Sequence, residues 1–365
     1  MKVLIAAGGT GGHIYPGIAV AKEIMRRDGR SEVKFVGTRK GLETKIVPEN
    51  NFELSLINSV GLKSVGLMGK IRGLMILPKS FLEARRLIKD FQPDVVVGAG
   101  GYVSGPVLLM ASLMRVPTLV MDSNALPGFT NRRLAPFVTR AALTFPEAVK
   151  FFGKKGTVTG NPVRSEFFDI EPKARDNSNF CILVFGGSQG ARAINTAVVD
   201  ALKLLQPFKN KLQIVHQTGE ADFESVQKSY LDSGWETANV GKYISDMVSE
   251  FAKTDLIISR AGATTCAEVC AAGRAAIMVP LPTAADDHQR KNAEALVSQG
   301  AARMILQKDV NGDTLAREII DLIEKPETIA AMETAARRMA RRDAAEVTVD
   351  LIKQLSVNSH QSTKN

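Results

Sequence analysis

The sequence predicts an α/β protein built from two doubly wound, Rossmann-type domains. Short β-branched runs alternate with helical stretches along the whole chain. The runs are apolar throughout rather than at every second position. A glycine-rich turn closes one such run near the start of each half, AAGGTGGHIYPG at Ala6–Gly17 and LVFGGSQGARAIN at Leu183–Asn195. Continuous apolar strands separated by helices belong to parallel sheets covered on both faces. The 365 residues exceed one ordinary hydrophobic core.

In the first half the strands read KVLIAA, EVKFVG, FELSLI, DVVVGAG, TLVMD and AALTF, with helices such as GIAVAKEIMRR and KSFLEARRLIKDF between them. In the second they read CILVFGG, LQIVHQTG, DLIISRAG and AAIMVPLP, with GARAINTAVVDALKLL among the helices. At Thr157–Asn179, TVTGNPVRSEFFDIEPKARDNSN replaces this rhythm with Gly, Pro, Asn and charge and predicts the hinge. The domains are predicted at 1–160 and 161–340, followed by a C-terminal helix and polar tail at 341–365, the tail SVNSHQSTKN being predicted disordered. Such a pair of domains is expected to share a cleft faced by the carboxyl ends of both sets of strands, where α/β folds hold ligands.

Composition narrows the function. With 45% hydrophobic and 23% charged residues and a mean hydropathy near zero, the chain reads as soluble and globular. Its N-terminal apolar run is too short for a signal peptide or a membrane span, which predicts a cytosolic protein. Three cysteines make no CxxC pair and no disulfide framework, and Cys266 and Cys270, spaced i, i+4, read as small buried residues rather than metal ligands. Forty-seven Lys and Arg against thirty-eight Asp and Glu give +9, which suits an anionic partner. One Trp, four Tyr and no binding signature argue against nucleic acid, leaving lipid or nucleotide.

Each glycine turn carries its own chemistry. In GGTGGH, Gly8, Gly9, Gly11 and Gly12 lack Cβ atoms, so backbone N–H groups can meet an anion or sugar at the positive end of a helix starting near Pro16. The spacing departs from GxGxxG, and a tight turn without a ligand is the alternative. GGSQGA sets Gly186, Gly187 and Gly190 around Ser188 and Gln189, a hydroxyl and amides that suit a diphosphate; no GxxxxGK[ST] exists. SRAGATTCAEVCAAG opens a helix near Ala263, where Thr264 and Thr265 face phosphate and Glu268 can accept both hydroxyls of a ribose or simply be solvated. PLPTAADDHQRKNA places Asp286, Asp287, His288, Gln289 and Asn292 where sugar hydroxyls need partners, helix capping by Asp286 or Asp287 being the plainer role. GAGGYVSGP at Gly98–Pro106 either holds phosphates of a second substrate or merely turns the chain. Between Gly61 and Arg86, apolar residues including Leu74 and Met75 interleave with six cations and one acid, Glu83, which suits an anionic bilayer; a buried helix pair is the rival reading. Arg337, Arg338, Arg341 and Arg342 read as a solvated helix face.

Taken in order, GGTGGHIYPG, GAGGYVSGP, TGNPVR, GGSQGA, SRAGATTCAE and PLPTAADDHQRKNA resemble, from about Lys2 to Leu355, the MurG family of UDP-N-acetylglucosamine transferases of peptidoglycan synthesis. The resemblance implies a GT-B fold, two Rossmann-like domains facing a central cleft. It implies inverting transfer of N-acetylglucosamine from UDP-GlcNAc to the 4-hydroxyl of undecaprenyl-pyrophosphoryl-MurNAc-pentapeptide (lipid I), giving lipid II without a covalent intermediate. It also implies a peripheral enzyme on the cytoplasmic face of a bacterial membrane, with UDP-GlcNAc, the lipid acceptor, the anionic membrane surface and cell-wall synthesis proteins as partners.

By the same resemblance, Arg164 and Ser188 lie near the donor diphosphate and the backbone at Ile244 reads the uracil. Ala263, Thr264, Thr265, Cys266, Ala267 and Glu268 run along phosphate and ribose, and Gln289 meets the GlcNAc. Thr10, Gly11, Gly12 and Asn124 look toward the sugar from the first domain, and Gly101, Tyr102 and Ser104 join GGTGGH at the acceptor's diphosphate. Where the family has His-Glu-Gln-Asn, this chain has MDSN at Met121–Asn124, an acid one methylene shorter at Asp122. His13 and Asp122 are the candidates for catalysis, His13 as general base because a free imidazole titrates near pH 6.5. No DxD pair occurs, so neither metal nor cofactor is predicted; helix N-termini, Ser188 and Arg164 are expected to meet the charge on departing UDP. The alternative activity is another GT-B enzyme on UDP-GlcNAc, a 2-epimerase or one with a different lipid acceptor. A non-enzymatic nucleotide-binding module is the alternative class, and it would have no use for a second glycine-rich domain.

Overall fold

The computed structural model describes residues 1–39, 41–59, 67–173, 179–187, 189–284 and 287–362, the side chains of 67–75 and 358–362 excepted. Two compact units result: Met1–Val163 with Arg341–Asn365, and Arg164–Ala340. No helix among the described residues is long and apolar enough to cross a membrane.

In the first unit, strands β1 (Lys2–Ala7), β2 (Glu32–Gly37), β3 (Glu53–Leu56), β4 (Val95–Gly100), β5 (Thr118–Asp122), β6 (Arg140–Leu143) and β7 (Gly156–Val158) alternate with helices α1 (Gly11–Arg27), α2 (Glu43–Glu49), α3 (Leu67–Phe91), α4 (Ser104–Leu113) and α5 (Phe129–Leu134). All strand pairs are parallel, in the order β3-β2-β1-β4-β5-β6-β7. The central strand β4, VVVGAG, is buried at every residue, as a strand covered by helices on both faces must be. Helix α1 begins at Gly11, not near Pro16; the proline lies inside it, near its N-terminal end.

The second unit repeats the plan. Strands β8 (Phe180–Phe185), β9 (Leu212–Gln217), β10 (Asn239–Gly241), β11 (Leu256–Ser259), β12 (Ala275–Met278) and β13 (Arg303–Met304) alternate with α6 (Arg192–Leu205), α7 (Phe223–Asp232), α8 (Met247–Lys253), α9 (Ala263–Ala272), α10 (His288–Ser298), α11 (Gly312–Glu324) and α12 (Pro326–Met339). Their order is β10-β9-β8-β11-β12-β13, again all parallel. The edge strands β7, β10 and β13 escape the sequence reading because they are only two or three residues long, too short for a hydrophobic period.

Three sequence expectations change here. The predicted hinge is largely structured: Gly156–Val158 belongs to the first sheet, and from Arg164 onward the chain is fastened to the second unit. Phe167 is fully buried there, and Arg274, with no exposed surface, donates to the carbonyls of Glu171, Phe251 and Ala252. Arg337 is not solvated; its guanidinium donates to the carbonyls of Ile170 and Ala272 and clasps the same segment. The polar tail is not disordered at its start, because α13 (Ala344–Ser362) carries helix through Ser356 to Ser362. Val349, Ile352 and Leu355, spaced at i, i+3, join the core formed with Ile14, Ile18 and Ile24 of α1, and Arg27 pairs with Asp350.

In each sheet the strand order reverses once, between β1 and β4 and between β8 and β11. GGTGGH follows β1 and GGSQGA follows β8, while GAGGYVSGP and SRAG begin in the last residues of β4 and β11 and run on past them. All four turns therefore lie at the carboxyl ends of the strands that flank a switch point, where a doubly wound fold leaves a crevice for ligands.

Candidate active site

In the first unit the turn after β1 is built around a residue the sequence reading missed. Gly9, at φ 90°, donates its N–H to Glu43 Oε2 at 2.9 Å. Glu43 Oε1 accepts from Thr38 N at 2.7 Å and Thr38 Oγ1 at 2.9 Å, and the side chain is wholly buried. A Cβ at Gly37 or Gly41 would overlap Glu43. These glycines make room for an internal carboxylate, and the Gly9 amide is spent on it rather than on a ligand. The signal was a lone acid in GTRKGLETKIVP, hemmed by glycines.

The two turns of this unit pack on each other. A Cβ at Gly101 would strike the Gly8 backbone, and one at Gly100 would overlap the ring of His13. His13 is half-buried in the first turn of α1, behind the exposed N-cap residue Thr10 and next to Gly11 and Gly12. Tyr102 is exposed, and its carbonyl accepts from Ser59 Oγ.

Ser104, assigned above to the acceptor diphosphate, is buried; its hydroxyl is shared among the Ala6 carbonyl and both backbone groups of Gly100, and its N–H goes to the Gly101 carbonyl. Asp122 is also buried and accepts from Asn124 N at 3.0 Å, Gly128 N at 2.9 Å and Asn131 Nδ2 at 2.8 Å. Burial raises its pKa, against the pull of these donors and of His13 nearby. A carboxylate so fully engaged orders the loop that carries Asn124, and its lone pairs are poorly placed to take a substrate proton.

In the second unit, Ser188 lies outside the described residues. Helix α9 begins at Ala263 and ends in a left-handed Gly273, so Thr264 and Thr265 occupy its first turn. Ala267 is half-buried on this helix, and Cys266 and Cys270 are buried, as expected of small core residues; burial raises both pKa values. Glu268 is only 9% exposed, which rules out the solvated reading. Arg164 Nη2 lies 3.4 Å from its Oε1. Burial still outweighs that partner and lifts the carboxyl to about 7.

Ile244 is half-buried and donates its N–H to Gln217 Oε1 at 2.9 Å, so only its carbonyl is left to face a base. Gln289, one residue into α10, accepts from Leu281 N at 3.0 Å. Asn292 does not reach the surface; it is fully buried and donates to the Ala261 carbonyl, tying α10 to the SRAG turn. Asp287 occupies the N-cap position of α10 with φ 55° and makes no capping hydrogen bond with its side chain, and Asp286 lies outside the described residues.

Residues 3–143 match the glycosyltransferase family 28 N-terminal domain, and residues 181–348 match the glycosyltransferase family 28 C-terminal domain. A protein of Syntrophus aciditrophicus named UDP-N-acetylglucosamine--N-acetylmuramyl-(pentapeptide) pyrophosphoryl-undecaprenol N-acetylglucosamine transferase is 46% identical, over 96% of this chain and 97% of its own length. The crystal structure of Acinetobacter baumannii MurG is 34% identical, with a TM-score of 0.76 over 97% of this chain and 99% of that one. The chain belongs to the MurG family, within glycosyltransferase family 28. This family membership bears out the resemblance drawn from the motifs, and the two parallel sheets are those of the GT-B fold. UDP-GlcNAc 2-epimerase from Neisseria meningitidis bound to UDP-GlcNAc has a TM-score of 0.69 at 16% identity, a likeness of fold alone.

Proposed function

We propose that this member of the MurG family transfers N-acetylglucosamine from UDP-GlcNAc to the 4-hydroxyl of MurNAc in lipid I, inverting the anomeric carbon and releasing UDP and lipid II. The observation that carries the reading is the set of four turns at two switch points, in a chain 46% identical to a transferase named for this donor and acceptor. The second unit takes the nucleotide. Amides at the start of α6 and α9, with Arg164, meet the negative charge that grows on UDP as the glycosidic bond breaks. The carbonyl of Ile244 accepts from uracil N3, Glu268 takes the ribose hydroxyls, and Gln289 meets the sugar. The first unit takes the acceptor, its pyrophosphate at Gly11, Gly12, Gly101 and Tyr102. His13 removes the proton from the attacking hydroxyl, and Asn124, held by Asp122, addresses the sugar.

The same unit is proposed to rest on the cytoplasmic face of the membrane. Leu82, Leu113, Phe129 and Phe137 are exposed on or beside α3, α4 and α5, which pack side by side, and Arg133 lies over the Phe129 ring. Apolar side chains edged by cations suit an anionic lipid surface. Leu74 and Met75, assigned to docking above, lie in α3 but their side chains are outside the described set.

Incubation with labelled UDP-GlcNAc and lipid I tests the activity. The expected result is a labelled disaccharide lipid formed in step with UDP. Release of UDP that does not depend on lipid I, or conversion of the donor to its 2-epimer, would overturn it.

Glu268 yields a second expectation, with a pH sign. Its carboxyl titrates near 4.5 unfolded and about 7 folded, so its contribution favours the fold most below pH 4.5, declines as pH rises to 7, and is flat above. Accepting two ribose hydroxyls needs the ionised form. UDP affinity measured by calorimetry is therefore expected to rise between pH 6 and 8, while Glu268→Gln binds UDP roughly tenfold or more weaker at pH 8 and with a shallower pH dependence. Equal affinity in wild type and variant would remove the ribose role.

A further inference from the structure

We infer that Gln217 is a positioning residue that fixes the distance between the base-reading segment and the diphosphate turn of the second unit. The inference rests on the nucleotide-site reading above and adds to it a residue with no assigned role. Gln217 ends β9 and is 2% exposed. Its Nε2 donates to the Gly187 carbonyl at 2.9 Å, and its Oε1 accepts from Ile244 N at 2.9 Å. One buried carboxamide thus joins the turn after β8 to the segment after β10.

The residue type follows from the two partners. A backbone carbonyl can only accept and a backbone N–H can only donate, so the bridging group must donate at one end and accept at the other. A carboxamide does this in a single orientation. A carboxylate offers no donor, and an aliphatic chain offers neither. Around the bridge the backbones are already in contact: a Cβ on Gly190 would overlap the Thr218 carbonyl, and one on Gly219 would overlap Gln189. Thr218 N and Gly219 N donate in turn to the carbonyls of Gly241 at 3.0 Å and Lys242 at 3.2 Å. Three successive loops, from β8, β9 and β10, are therefore stacked edge to edge, with Gln217 as the side chain that crosses all three.

The consequence is a fixed span. A nucleoside diphosphate that touches both Ile244 and the turn at Gly186 and Gly187 gains from two contacts made at a separation the protein has set beforehand, whereas a ligand too short to reach the turn gains from one. Loss of Gln217 should cost the longer ligand more than the shorter one.

Calorimetry with UDP and UMP tests this on the full chain. Wild type is expected to bind UDP more tightly than UMP. Gln217→Met should reduce that ratio by about tenfold, the scale of one to two net hydrogen bonds. Gln217→Glu keeps the acceptor for Ile244 N–H but sets an oxygen against the Gly187 carbonyl. Its UDP affinity relative to wild type at the same pH should recover as pH falls, because the protonated carboxyl regains a donor; Gln217→Met should show no such recovery. A Gln217→Met protein with the wild-type ratio, or one that weakens UDP and UMP equally, would overturn the inference and leave Gln217 merely structural. If Gln217→Met does not fold, the presence or absence of pH recovery in Gln217→Glu decides. Absence of UDP binding by wild type would instead overturn the nucleotide-site reading.

Discussion

His13→Ala is expected to lower kcat by about 10²- to 10⁴-fold, the range for removing a positioned general base, with little change in the KM for UDP-GlcNAc. The geometry separates the two constants. His13 belongs to the first unit, in the first turn of α1, while the groups assigned to the nucleotide belong to the second. Its ring lies over Gly100, where a Cβ would collide with it, so the imidazole is set in place by backbone on one side and its own helix on the other. That placement reduces the rotamer freedom that proton transfer would otherwise have to overcome. Burial raises the Asp122 carboxyl, and His13 is among the groups that oppose that rise, which sets the two side chains within electrostatic reach of each other. Steady-state kinetics with lipid I decides the matter. An unchanged kcat would take His13 out of the reaction.

Glu43→Ala is expected to destabilise the first unit by about 3–5 kcal/mol, lowering its Tm on the order of 10 °C. The carboxylate is fully buried and accepts three hydrogen bonds, from Gly9 N, Thr38 N and Thr38 Oγ1. Its removal strands those donors and opens a cavity beneath the glycine turn. Glu43→Gln is nearly isosteric but presents an N–H₂ to one of two backbone donors, so it is expected to keep the fold and still lower kcat, because Gly9 sets the direction in which the chain enters α1. UDP affinity should be unaffected in Glu43→Gln. Thermal denaturation and calorimetry on the same samples check both halves; a Glu43→Ala protein with wild-type Tm would show that Glu43 anchors nothing.

Much of this architecture was legible in the chain because it depends on local pattern. Apolar runs of four to six residues between helices announce buried parallel strands, and glycines directly after them announce turns at carboxyl ends. The partners of Ser104 and Asn292 were not legible. Each sits inside a motif that reads as functional, yet each turns its side chain inward: Ser104 onto Ala6 and Gly100, Asn292 onto Ala261. Helical phase separates a ligand-facing residue from its buried neighbour by about 100°, and a motif string does not record that phase.

Gln217 and Glu43 were missed for the complementary reason. Neither belongs to a glycine motif, and each acts on one across a gap in sequence, Gln217 on Gly187 and Glu43 on Gly9. The C-terminal helix is the largest case: nothing in ARRDAAEVTVDLIKQL says that Val349 and Ile352 share a core with Ile18. The sequence by itself determined the two α/β units, the four turns and the family, since periodicity and short motifs are properties of neighbouring residues. Which carboxylate, amide and helix hold those turns in place was decided by tertiary structure alone, because a buried polar group takes its partner from whatever strand or loop the fold brings beside it, however distant along the chain.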